Sequence, residues 1–581
     1  VALSRRIFAD RLWLFGVELV WLSPLASGLL FLGFGAAYLP LSVAMRRLRG
    51  PTAVVATFVA LAAFAAISQI EAIHWTGAAL LASGLGVTAA RTIGATPRRL
   101  GRLAARVVVG GVAVIAAAAG GQVVAERASW SSGEGSPVAG SRPNILLLVL
   151  DTVRAWNLGW YGYDRATTPA LDRRFESGVI FDRALAVGPW TLPSHASMFT
   201  GLWPTELSAN WHRPLDRAHP TVAEALRDAG YLTGGFVGNY RYVGGSTGLG
   251  RGFSRYSDYP INPAEALRMT GLVRRLLRIP KVQEWLGKNR ILEATTAAAV
   301  NRDFLEWLDR VPDRPFFGFI NYIDAHSPYL PPAPFDSIWT KTDSGSVARR
   351  YTSLGEQVFG RGPIPGSLIA EYLDGYDGAL SYLDRQIDSL LIELARRGRL
   401  DNTVVILTSD HGEHFGEHRL IQHGNSLYLP VLHVPLVVWG PRTGLVPSGL
   451  RIPAPTSLKN LAATIVDLAA VPNPGIPGRS LAALWRADSL EVPPDTLFAA
   501  VDWHESLSRF PPSPLLDGSL RSLLLDSLHY IRRSDGREEL YHLGRDFLET
   551  RNLAGQPLYR AALLEARREL GLLTATNRSR D

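Results

Sequence analysis

The chain is 581 residues long, with 60 Lys+Arg against 52 Asp+Glu, a formal net charge of +8 and no cysteine. That length exceeds what one compact core supports and predicts two or more structural units. The missing cysteine excludes disulfides, thiolate metal sites, iron–sulfur clusters and a cysteine nucleophile.

A basic balance invites a nucleic-acid reading, but the position of the charge argues against it. Residues 1–125 hold eleven Arg, no Lys and only three acids, Asp10, Glu18 and Glu71. The whole excess lies in this apolar quarter, and the rest of the chain is formally neutral. No nucleic-acid partner is expected.

From the N-terminus, Leu19–Met45, Pro51–Ile70, Ala72–Ala90 and Val107–Ala125 carry no Asp, Glu, Lys or Arg. Each is about as long as a bilayer crossing, which takes about 20 apolar residues. Residues 1–125 are therefore expected to form a transmembrane helical domain of about five spans. Arg46, Arg47 and Arg49 mark one cytoplasmic loop, and the arginines between Arg91 and Arg106 mark another. On this reading the protein is a multi-pass cell (inner or plasma) membrane protein with the lipid bilayer as partner, and everything beyond residue 126 is extracytoplasmic. Residues 126–141, rich in Ser and Gly, read as a linker.

Beyond it, Asn144–Leu150 is a continuous apolar run that ends on Asp151, as a buried parallel strand reads. Phe316–Ile320, Val404–Leu407 and Val434–Trp439 look the same. Helical patterns lie between them, such as Thr221–Ala229 and Leu368–Ala395. This alternation predicts an α/β fold with a mostly parallel central sheet covered on both faces. Ligands then sit beyond the carboxyl ends of the strands. Two strands end in polar clusters there, Asp151–Arg154 and Thr408–Glu413.

Asp151, Asp410 and His411 offer two carboxylates and an imidazole, a donor set for one divalent cation. In the segment 188–201, Pro193 and Ser194 favour a helix start. Thr191 lies where free N–H groups and the helix dipole favour anions. On local sequence alone Thr191 reads first as a cap; touching a metal, its hydroxyl would instead serve as a nucleophile. His414, Glu417 and His418 read as a solvated loop.

These pieces, in this order, resemble the sulfatase family of the alkaline-phosphatase superfamily. The matching segments are Pro143–Arg154, Tyr161-Gly162-Tyr163, Thr168-Pro169, Thr191–Gly201, Gly230-Tyr231 and Gly252-Phe253. His326–Tyr329, Ser409–Glu413, His423-Gly424, Val434–Leu436, Glu539–Leu543 and Glu549–Ala554 follow. The resemblance spans roughly residues 142–556. It implies an alkaline-phosphatase/sulfatase-like α/β sandwich, with a catalytic domain over 142–495 and a C-terminal subdomain and tail over 496–581. By resemblance Asp151, Thr191, Asp410 and His411 hold one divalent ion, Mn²⁺ ahead of Zn²⁺, Mg²⁺ or Ca²⁺. Thr191 is also the nucleophile, and His326 and His423 contact the ester or assist the leaving group. Arg154 orients the Asp151 loop or the nucleophile.

The departures are informative. Sulfatases carry a Cys or Ser that is matured to formylglycine; here the position is Thr191. The family's usual Arg four residues on is His195, and its Lys after the Gly-Tyr motif is Asn239, two expected substrate contacts. The second of its paired aspartates is Thr152, and its Asn after the late metal Asp is His411. The Thr–Asp–His set, together with the apolar N-terminus, resembles lipoteichoic acid synthases and phosphoethanolamine transferases. The expectation is a membrane-anchored, metal-dependent hydrolase or transferase of phosphate or sulfate esters borne by a lipid, glycan or envelope polymer, with phosphoryl chemistry favoured. The alternatives are an arylsulfatase-like sulfuric ester hydrolase without formylglycine, and a catalytically inactive envelope binding protein.

Overall fold

In a computed structural model, the described residues are 51–67, 75–93, 142–211, 213–258, 295–340, 365–440, 443–486, 495–504 and 513–578, with isolated positions between 106 and 121. The chain divides into two compact units. One is Val1–Ser129 with Tyr259–Asn289; the other is Trp130–Asp258 with Arg290–Asp581.

The continuous described stretches of the first unit form a helix pair, α1 (Pro51–Ile67) and α2 (Trp75–Ile93). The two pack closely: a Cβ on Gly86 would lie 2.3 Å from the Ala56 carbonyl oxygen and 2.8 Å from the Ala60 Cβ. The expected spans are not found here. Among the described residues, no helix is long and apolar enough to cross a membrane. As described, α1 covers 17 residues, about 25 Å at 1.5 Å per residue, short of the roughly 30 Å hydrocarbon layer. α2 has 19 residues but dilutes its apolar run with glycines, Ser83, Thr88 and a terminal Arg91. The transmembrane domain, the lipid-bilayer partner and the multi-pass membrane localisation with an extracytoplasmic catalytic domain are thereby overturned as expectations. Leu19–Met45, most of Val107–Ala125 and the 126–141 linker lie outside the described residues.

The second unit is the expected α/β sandwich. Its main strands are β1 (Asn144–Leu150), β2 (Val179–Phe181), β3 (Leu232–Val237), β4 (Arg255–Ser257), β5 (Phe316–Tyr322), β6 (Thr403–Ser409), β7 (Leu436–Trp439) and β8 (Leu450–Ile452). They form one sheet in the order β8-β2-β7-β6-β1-β5-β3-β4. Pairing is parallel except at β7, which runs antiparallel to both β6 and β2. The strands at the centre are wholly buried, which is why their sequences are unbroken apolar runs.

The pleat sorts side chains to two covered faces. Leu146, Leu148, Phe316 and Ile320 join a core with Phe304 of α5 (Ala297–Leu308) and Leu380 and Leu391 of α6 (Gly366–Arg396). Toward the other face, Phe319 meets Phe199 of α3 (Thr191–Thr200) edge-on at 5.0 Å. α4 (Val222–Asp228) starts with a capping box, Thr221 and Glu224 each bonding the other's backbone N–H. A four-stranded antiparallel sheet follows: β9 (Leu497–Val501), β10 (Leu520–Leu525), β11 (Leu528–Arg533) and β12 (Glu538–His542). Its apolar face packs on Leu563, Ala566 and Leu570 of the helix Arg560–Arg578.

Candidate active site

Four neighbouring strands deliver the site. Leu150 of β1 is in register with Ser409 of β6, so Asp151 and Asp410 leave adjacent strand ends side by side. β5 ends four residues before His326, and β3 ends two residues before Asn239. Gly412 has no room for a side chain: a Cβ there would lie 2.1 Å from the Pro430 carbonyl oxygen.

Asp151, Asp410 and His411 are all buried, and one ligand atom from each lies within 4.8 Å of the others. Asp410 Oδ1 accepts the backbone N–H groups of Thr152 at 3.1 Å and His411 at 2.9 Å. Asp151 Oδ2 accepts from the Asn239 side-chain amide at 2.8 Å. The remaining oxygens, Asp151 Oδ1 and Asp410 Oδ2, have no hydrogen-bond partner. His411 donates its Nδ1–H to the Gly412 carbonyl at 3.0 Å, which leaves the Nε2 lone pair facing Asp410 Oδ2 at 3.4 Å. Burial pushes Asp410 up to about 7, raises Asp151 with help from Asp410, and lowers His411 to about 3. Two buried carboxylates with orphaned oxygens and a neutral imidazole beside them are costly alone and match the donor set of one divalent cation. The cluster is compatible with a single divalent-metal site.

Thr191 is the first residue of α3, and its hydroxyl does not cap the helix. The cap position is Trp190, with no side-chain cap bond. Thr191 Oγ instead lies 3.3 Å from His411 Nε2. Ser194 ties this end of α3 to the Asp410 carbonyl at 2.6 Å. The hydroxyl thus sits at the Asp151–Asp410–His411 cluster and at a helix N-terminus, whose free N–H groups attract an anion.

The other expected site residues divide. His326 holds its ring by Nδ1–H on the Ser327 carbonyl, 2.8 Å, and meets the His423 ring at 5.1 Å. His423 lies 4.4 Å from the His411 ring and 5.5 Å from the Trp190 ring. His195 is fully buried behind the cluster; its Nδ1 bonds the Thr191 carbonyl at 2.8 Å and lies 3.6 Å from Asp410 Oδ2. Asn239 uses its amide on Asp151 and its carbonyl oxygen on the Tyr242 N–H. The Arg154 guanidinium bonds Asn157, the Glu413 carbonyl and Glu417, and lies over the Phe415 ring. These bonds draw the Asp410–Glu417 loop against the Asp151 loop. Thr152, at the second-aspartate position, has φ 64°, a conformation strained for a β-branched residue, and turns its N–H to Asp410.

The solvated loop expected at 414–418 is packed instead. His414 is buried on Ser426, Glu417 pairs with Arg154 at 2.6 Å, and His418 stacks on Tyr428 at 3.6 Å. Sequence reasoning passed over Glu413. It is fully buried, accepts from His423 Nδ1 at 2.9 Å and from the Tyr329 hydroxyl at 2.8 Å. The signal was present: both residues lie inside the motifs quoted for their histidines.

A buried metal-donor set at the carboxyl rim of a largely parallel sheet, with a hydroxyl at a helix N-terminus, defines the class: the alkaline-phosphatase/sulfatase superfamily fold, consistent with hydrolase activity. The family model described as Sulfatase matches residues 143–471, more than half of the chain, and the chain belongs to that family. The Uncharacterized sulfatase YidJ of Escherichia coli (strain K12) is 28% identical over 370 residues, covering 59% of this chain and 71% of that protein. Arylsulfatase K of Xenopus laevis is 27% identical over 416 residues, covering 67% and 74%. In fold the chain is similar to the phosphonate monoester hydrolase of Agrobacterium radiobacter, with TM-score 0.60 and 22% identity over 75% of this chain and 96% of that one.

These findings correct the favoured functional expectation. The likeness to lipoteichoic acid synthases and phosphoethanolamine transferases rested on the Thr–Asp–His set and on a membrane anchor, and no described helix supplies the anchor. The matched family and the curated relatives named above are sulfatases, so a membrane-anchored enzyme with phosphoryl chemistry favoured gives way to the sulfuric-ester alternative.

Proposed function

We propose that the chain is a divalent-metal-dependent sulfuric ester hydrolase, arylsulfatase-like, that works through Thr191 without formylglycine. The observation that carries it is the Thr191 hydroxyl, 3.3 Å from His411 Nε2 at the mouth of the orphaned Asp151–Asp410–His411 cluster. The sulfatase names of the relatives support the substrate class.

Asp151, Asp410, His411 and Thr191 would hold the ion, with Mn²⁺ ahead of Zn²⁺, Mg²⁺ or Ca²⁺. When bound, it supplies positive charge to the sulfate oxygens and favours the ionised Thr191 hydroxyl. Thr191 Oγ attacks sulfur and forms a sulfo-threonine ester as the alcohol departs. The α3 N–H groups stabilise the sulfate oxygens. Asn239 steadies Asp151 from behind, His195 holds the Thr191 carbonyl, and Arg154 fixes the loop that carries Asp410 and His411. His326 and His423 border the ester on the open side.

The test is a panel of aryl sulfate, phosphate monoester and phosphodiester substrates with Mn²⁺, Ca²⁺ or Zn²⁺ supplied, with Thr191→Ala beside the wild type. The expected result is sulfate-ester turnover that needs the metal and collapses in Thr191→Ala. Phosphoester turnover alone, or sulfate turnover indifferent to Thr191→Ala, overturns the reading.

A further inference from the structure

A sulfo-threonine ester poses a chemical problem that a hydrated formylglycine does not. Threonine has one hydroxyl, so its ester has no second hydroxyl to expel sulfate by elimination. Water must attack it, and a base must take the water's proton.

Three imidazoles line this side of the site, and each is anchored through Nδ1; His411 Nε2 already meets Thr191, so His326 and His423 keep Nε2 as the open nitrogen. His326 is anchored on the Ser327 carbonyl and His411 on the Gly412 carbonyl. His423 alone among them is anchored on a carboxylate, Glu413 Oε1 at 2.9 Å. Glu413 is fully buried, and its second oxygen is fixed by the Tyr329 hydroxyl at 2.8 Å. Its one ring partner is therefore held in one orientation and one tautomer, with Nδ1–H toward the carboxylate. A carboxylate behind Nδ1 also stabilises the positive charge that develops when Nε2 accepts a proton. His411 is committed to the Asp151–Asp410 cluster, and the hydrogen-bond partner of His326 Nδ1 is a neutral carbonyl.

We infer that Glu413 is a positioning residue that makes His423 the base for hydrolysis of the Thr191 sulfo ester; the inference rests on the Thr191 sulfatase reading. In that step the water oxygen bonds sulfur, and one water proton passes to His423 Nε2. The S–Oγ bond breaks with its electron pair on Thr191 Oγ. The proton on Nε2 then returns to Oγ by way of solvent, leaving a free threonine hydroxyl and hydrogensulfate.

The experiment uses the full chain with Mn²⁺ and an aryl sulfate, read by rapid-quench phenol release and by the intact mass of the protein. His423→Ala and the isosteric Glu413→Gln should keep a first-turnover burst near one phenol per protein. Steady-state turnover should then fall roughly 100-fold or more, while Thr191 accumulates the mass of one sulfo group. Glu413→Asp, which draws the carboxylate back by one methylene, should do the same more weakly and serves if Glu413→Gln fails to fold. Adding Glu413→Gln to His423→Ala should cost nothing further, because Glu413 acts through that ring. Two results overturn the inference: burst and steady state slowed equally with no adduct in the Glu413 variants, or an added loss in the double variant. Turnover of the ester with Thr191 unsulfated in every form would instead overturn the Thr191 reading itself. Independently of activity, histidine ¹⁵N spectra of the wild type should show the His423 proton on Nδ1; a proton on Nε2 overturns the positioning role.

Discussion

Two buried clusters lie back to back around residues 410–417, and they are finished differently. On one side, Asp151, Asp410 and His411 leave two carboxylate oxygens without partners, and burial raises both carboxyls. On the other, Glu417 bonds Arg154 at 2.6 Å and the Phe415 N–H at 2.6 Å. Burial alone would raise Glu417, but Arg154 and His414 outweigh it and hold the carboxyl well below its usual range. The first cluster keeps two carboxylate oxygens open and is compatible with one divalent cation, while in the second the Glu417 carboxylate is matched by Arg154. Charge burial therefore marks a binding site only where the hydrogen-bond ledger stays open.

The contrast breaks most visibly at Thr191, the proposed nucleophile. Thr191→Ala should lower kcat by about 10⁴-fold or more with folding intact, since the hydroxyl bonds only toward the open cluster. Thr191→Ser keeps the hydroxyl and should retain activity within about 100-fold of wild type. Steady-state kinetics with matched thermal melts check both.

Glu417→Gln attacks the second cluster. It leaves the Arg154 guanidinium, 7% exposed, without its carboxylate. The expected cost is about 3–4 kcal/mol of unfolding free energy, read by urea denaturation of the metal-free protein. Metal affinity should change far less than stability.

How much of this was legible in the sequence follows the same line. Apolar runs ending on Asp151 and on Asp410-His411 revealed the strands, their rim and the donor set, because both the burial of a parallel strand and metal-ligand chemistry are written in residue type. The pairing of Glu413 with His423, and of Glu417 with Arg154, was not legible. Those contacts depend on how a loop turns back on itself, and local pattern does not record that. Asn239 and His195 were read as substrate contacts, yet they bond Asp151 and the Thr191 carbonyl. The N-terminal quarter misled for a different reason. A charge-free run measures composition, whereas a span also needs helix length, and the described α1 covers 17 residues.

A buried histidine outside both clusters separates the cost of burial from that of missing partners. His433 accepts from Trp156 Nε1 at 3.0 Å and donates Nε2–H to the Asp182 carbonyl at 2.9 Å. Burial lowers it to about 4. Its neutral form costs nothing above pH 6.5. Below that the unfolded chain takes up the proton first, so stability falls as pH drops from about 6.5 to about 4, by at most roughly 3 kcal/mol. His433→Gln should flatten that part of the stability–pH curve relative to wild type. An unchanged slope would show that the ring is not held neutral.

The smallest effect carries the opposite sign and separates the two clusters most cleanly. Asp410→Asn keeps an oxygen to accept from the Thr152 and His411 N–H groups, and it replaces the orphaned Oδ2 with an amide facing His411 Nε2. Removing a buried carboxylate whose second oxygen lacks a partner should therefore stabilise the metal-free protein by about 1–2 kcal/mol, where Glu417→Gln destabilises it. The same change should weaken Mn²⁺ binding and abolish the stabilisation that Mn²⁺ gives the wild type. Denaturation with and without Mn²⁺ reads both effects. If Asp410→Asn destabilised the metal-free protein as Glu417→Gln does, the orphaned oxygens would be part of the fold's own support, and the case for a resident cation would fall with them.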